Sequence, residues 1–119
     1  MKRLIFGLLA MAALTQPAFA VNFCYVTEFP LQVDGSVQVA VTPPLADQQV
    51  TVSIASAPSA AFGNSTGMAR ISCDTTVSAV FGAPGATPTA TTTNMRLPAN
   101  VPEYFRVRPG GRVAFITNQ

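Results

Sequence analysis

Few side chains in this chain of 119 residues can do chemistry, and their types restrict what that chemistry can be. There is no histidine, which removes a Ser-His-Asp relay, a His-containing zinc site and an imidazole proton shuttle. The five carboxylates, Glu28, Asp34, Asp47, Asp74 and Glu103, are scattered without the paired spacing that acid–base hydrolysis needs. No Gly-rich loop precedes a helix signal, so neither a P-loop nor a dinucleotide fingerprint is present. We therefore expect no enzyme, no cofactor, no metal and no small-molecule substrate.

What remains is one cysteine pair and a set of residues suited to contact. Cys24 and Cys73 are an even pair, and bonding them would close a long loop and constrain the unfolded chain. The alternative is two free cysteines packed inside strands. Arg106 and Arg108 share one face of their strand, and Arg112 follows Pro109-Gly110-Gly111, so a hairpin there would gather a small basic cluster. Its use would be docking onto an acidic protein surface or a phosphate. The other reading is an edge hairpin kept soluble by charge, with Glu103 as local partner. Three arginines without interleaved surface aromatics are a weak nucleic-acid signature. Asn64-Ser65-Thr66 matches a glycosylation acceptor, a pattern frequent by chance.

The elements that must position these residues read as strands. Phe23, Tyr25, Thr27 and Phe29 alternate with Cys24, Val26 and Glu28. Val37, Val39 and Val41 alternate with polar or small residues, and Val50, Val52 and Ile54 do the same. Period two with β-branched residues is the signal of a half-buried strand. Segments 68–73 and 76–81 meet at Asp74-Thr75 and suggest a hairpin. Segments 104–108 and 112–117 suggest another around Pro109-Gly110-Gly111, with Phe105 and Phe115, or Val107 and Val113, paired across it toward the core. Prolines 43, 44, 58, 84, 88, 98 and 102 leave no room for a long helix. The fold class is all-β, a small antiparallel β-sandwich or jelly roll.

Gly82 to Glu103 stands apart as a long Gly/Pro/Ala/Thr segment. Such a loop is either a functional arm or a solvated crossover between two sheets. As an arm, its contact residues are Thr87, Thr89, Thr91, Thr92, Thr93, Asn94 and Arg96, because an extended Pro/Thr segment can add to a neighbour's sheet.

The N-terminus resembles an export label. Lys2 and Arg3 precede an uncharged apolar run from Leu4 to Leu14, then Pro17 and the small-x-small Ala18-Phe19-Ala20. The domains are thus a signal-peptide-like apolar helix over 1–20 and one β-sandwich domain over 21–119. An uncleaved anchor or packing arm is the alternative, and it would be the only route to a membrane. The net charge of +2 resides in Lys2 and Arg3; beyond the leader, five arginines balance five acids. That neutrality gives no general attraction to nucleic acid. About a hundred residues suffice for one core.

Two long runs resemble a known family. ADQQVTVSIASAPSAAFGNSTGMARISCDTTVSAVFG and ATPTATTTNMRLPANVPEYFRVRPGGRVAFI are similar to small virion proteins of tailed bacteriophages. Shared traits are PLADQ before SAAF, a strand pair like 69–81, a Thr-rich stretch, and a closing LPAN.PEYF.V.PGG.VA. With YVTEF and DGSVQVAVTPPLADQ the resemblance spans residues 22–117. It departs at the leader, since the family's chains begin near the equivalent of Phe23. The resemblance implies a β-rich structural protein of the phage particle, of the capsid-decoration kind, located in the virion. Its partners would be copies of itself, as a homo-oligomer, and other virion proteins such as the major capsid protein. The leader points instead to an exported bacterial β-sandwich binding module, periplasmic, surface-bound or secreted.

Overall fold

The computed structural model describes residues 20–31, 33–34, 37–38, 40 and 42–119. The leader reading lies, apart from Ala20, outside the described residues, as do residues 36, 39 and 41 of the strand expected over 36–42. Of the remainder only Val37–Gln38 is strand, while Ala40 and Thr42 are not. Within the described residues the chain is all-β, with no helix. In chain order the strands are β1 Asn22–Pro30, β2 Val33–Asp34, β3 Val37–Gln38, β4 Ala46–Val52 and β5 Ala57–Pro58. They continue as β6 Thr66–Cys73, β7 Val77–Gly82, β8 Met95–Leu97, β9 Glu103–Arg106 and β10 Arg112–Thr117.

Two four-stranded antiparallel sheets form, ordered β4-β1-β6-β9 and β5-β10-β7-β8, with β2 and β3 as a separate ribbon. The sheets bury one cluster between them, including Val26 and Ile71 from the first and Val77, Val113 and Phe115 from the second. Alternation decides which side chains go inward. In β1 the buried parity is Cys24, Val26 and Glu28, while Tyr25 is exposed. The Val50-Val52-Ile54 pattern stops early: β4 ends at Val52, and Ile54 is 90% exposed at the turn that follows.

Neither expected hairpin forms. β6 pairs with β1 and β9, whereas β7 pairs with β10 and β8, so Asp74-Thr75-Thr76 carries the chain from one sheet to the other. Asp74 holds that corner: its N–H donates to the Phe23 carbonyl, and its Oδ2 accepts the Phe23 N–H at 3.0 Å. Likewise, among the described residues β9 pairs with β6 alone, and β10 lies between β5 and β7. Pro109-Gly110-Gly111 is a second corner. Gly110, at φ 78°, donates to the Phe62 carbonyl, and Phe62 donates to that of Gly111. The reason is competition from a segment distant in sequence: the turn's Gly110 N–H and Gly111 carbonyl bond Phe62 in the 59–63 loop rather than closing a ladder. Phe105 is therefore opposite Ala69, and Phe115 is opposite Ala79 and Ala57. Phe105 does not pair with Phe115, nor Val107 with Val113, although Val107, Val113 and Phe115 share one buried cluster and Phe105 packs against it.

Close backbone approach fixes the far end of β6. A Cβ on Gly67 would lie 2.2 Å from Leu31 Cβ, so only glycine fits there.

Candidate functional site

Cys24 and Cys73 stand directly opposite each other in β1 and β6 on the buried face. They are joined as a disulfide, with Cα atoms 4.0 Å apart. The bond is architectural, sealed inside the core.

The long segment after β7 does not itself cross between the sheets. It returns as β8 beside β7 in the second sheet, and residues 98–102 make the passage to β9. Residues 83–94 are laid down on the protein, against the outer side of the second sheet. Ala90 is buried and donates to Ser56 Oγ at 2.8 Å. The Thr92 carbonyl accepts from Ser78 Oγ and from Asn118 Nδ2. Ser78 and Ala114, which alternation points outward, are consequently fully buried. Asn94 closes the strap by accepting the Thr91 N–H at 2.7 Å. Its exposed side is a row of Thr87, Thr89, Thr91, Thr92 and Thr93, followed by Arg96 in β8. The main chain at Ala90 and Thr92 is thus already engaged within the molecule, which leaves the threonine side chains as its outer contact groups.

The three arginines do not gather. Arg106 and Arg108 are exposed and line an open groove of about 700 Å³ with Leu31, Asn64, Ser65 and Pro109. Arg112 belongs to the other sheet and donates through Nη1 to the Ser59 carbonyl at 3.1 Å. A smaller hollow of about 260 Å³ lies on the other side of the Arg106–Arg108 ridge, against Phe62, Phe81 and Pro84.

One buried group escaped the sequence reading as a structural element. Glu28 is 3% exposed and its carboxylate accepts three hydrogen bonds. Gly63 N–H and Thr66 Oγ1 donate to Oε1 at 2.9 and 2.8 Å, and Gln48 Nε2 donates to Oε2 at 2.9 Å. Gln48 in turn accepts the Ala60 N–H at 2.8 Å. Together they pin the 59–66 loop to β1 and β4. Sharing parity with Cys24 and Val26 was the signal that could have found it. Replacing Glu28 by Ala orphans these donors and should cost about 2–4 kcal/mol, since each unsatisfied buried donor costs about 1–3 kcal/mol. Urea midpoints measure it; a loss below about 1 kcal/mol would mean water replaces the carboxylate freely.

Among the described residues no group of three His, Cys, Asp or Glu comes together to hold a metal ion. What the geometry offers is surface: the β4 and β9 edges of the first sheet, unpaired among the described residues, a threonine strap and an arginine-lined groove.

No family model, curated protein or solved structure matches the chain.

Proposed function

We propose that this protein is a structural component of a tailed-phage particle, of the capsid-decoration or minor-component kind. It works by protein–protein assembly on a β-sandwich scaffold. One observation carries the reading: the segments that resemble the phage family are the joints of the fold. PLADQ leads into β4. SAAF supplies Ser59, whose Oγ accepts the Val113 N–H, and the core residue Phe62. LPAN supplies buried Leu97 and Asn100, whose left-handed backbone (φ 60°) donates to the Cys73 carbonyl. The PGG segment is the corner between the sheets. A protein whose shared text specifies shape is suited to repeated, weak, identical contacts summed over a lattice. Its partners are then copies of itself and other virion proteins, the major capsid protein foremost.

The test is mass spectrometry of tailed-phage particles purified from cultures that carry this sequence. Peptides from residues 21–119 should be present at many copies per particle. Their absence from particles, with recovery from the periplasm, would overturn the reading. It would favour the second one, an exported binding module, which the leader and the Cys24–Cys73 disulfide support.

A further inference from the structure

The hydrogen-bond parity of the first sheet leaves two unlike edges. Asp74 N–H bonds the Phe23 carbonyl, so residues 25–72 and 27–70 face each other across β1 and β6. Val107 N–H bonds the Gly67 carbonyl, so 69–105 and 71–103 face each other across β6 and β9. It follows that Tyr104 and Arg106 turn their backbone N–H and C=O groups to the outer edge of β9, where no described strand pairs with it. On the opposite edge, β1 residues 24 and 26 bond toward Val50 and Gln48. Asp47, Gln49 and Thr51 of β4 therefore turn theirs outward.

All five of these edge residues are exposed on the same outer face of the sheet. The β9 edge is basic, with Arg70 beside Tyr104 and Arg108 beyond Arg106. The β4 edge carries Asp47. Among the described residues neither Arg106 nor Arg108 has a side-chain hydrogen bond or ion pair. The strand directions match as well. Three antiparallel steps separate β4 from β9, so they run in opposite directions. A second copy displaced sideways would bring its β4 antiparallel against β9.

We propose that the β9 edge of one copy receives the β4 edge of the next, continuing the sheet head to tail. In that register Asp47 lies opposite Arg106 and Gln49 lies opposite Tyr104, and the charges meet on one face. The contact is heterologous, so it closes into a ring or extends as a filament. β9 has only four residues, so the buried area falls below that of a stable standard interface. Association is accordingly weak in free solution and strengthened where a lattice holds copies side by side. The inference rests on the proposed assembly role, and names the surface through which like copies meet.

Analytical ultracentrifugation of the purified protein tests it, up to about 1 mM, a range where small interfaces show reversible association. Asp47→Arg alone and Arg106→Asp alone should each weaken self-association about tenfold or more, because each places like charges face to face. An equimolar mixture of the two variants should associate again, since one then offers an acidic β9 edge to the other's basic β4 edge. Tyr104→Pro, which removes an outward N–H that β6 does not use, should also weaken it while the fold is kept. A strictly monomeric wild type, or variants that associate like the wild type, would overturn the proposal. So would a mixture no better than its parts, which would leave the β9 edge to a different, acidic partner. None of these readings needs a particle, so this inference and the virion assignment can fail separately.

Discussion

Replacing Phe115 by Ala is expected to destabilise the protein by about 3–5 kcal/mol, the range for deleting a buried aromatic. Among the described residues Phe115 is the largest of the fully buried side chains. It sits on β10, which is flanked by β5 and β7, so strands on both sides hold the site open and little collapse can fill the void. Phe105 makes the informative comparison. It lies on edge strand β9, is only half-buried, and stacks at 5.0 Å and a tilted angle on Phe81. Its truncation should cost about half as much, because one side already meets solvent and the transfer term shrinks with buried area. Urea unfolding of both variants decides the order, with unchanged m-values showing that stability alone moved. Equal losses would mean that the edge strand is as tightly built as the centre.

The second large effect is loss of the Cys24–Cys73 bond. The cysteines are 49 residues apart in sequence, and closing a loop of that size is worth about 4 kcal/mol through the unfolded state. Replacing both by Ala removes the bond without leaving a buried thiol alone. A domain of this size has only about 5–15 kcal/mol in total, so the double variant should unfold at much lower urea. The bond also lies within the core, at 0% and 2% exposure, so a reductant should act on the native protein only through unfolding. A midpoint unchanged to within about 1 kcal/mol would show that β1 and β6 hold their register without it. The two effects act on different states. Phe115 changes the packing of the folded protein, whereas the disulfide limits the freedom of the unfolded one.

Local periodicity made the strands legible from the sequence. The alternation around Cys24, Val26 and Glu28, the runs at 50–52 and 112–117, and the proline spacing specify extended chain wherever they occur, because side-chain parity is a property of the backbone itself. The same parity placed Arg106 and Arg108 on one face, and both line one groove. Which strand lies beside which was decided elsewhere. At Asp74-Thr75-Thr76 and at Pro109-Gly110-Gly111, short turn-like links can close a hairpin or cross between layers. The choice belongs to distant acceptors, the Phe23 and Phe62 carbonyls. Arg112 was thereby taken from its neighbours in sequence to the second sheet. Glu28 shows the same division. Its parity with Cys24 and Val26 was visible, but only the arrival of Gln48, Gly63 and Thr66 from other segments makes a buried carboxylate tolerable. Periodicity is written residue by residue along the chain; sheet order, the strap over Ser78 and the unlike edges of β4 and β9 arise from hydrogen bonds between residues far apart in sequence, which no local pattern encodes.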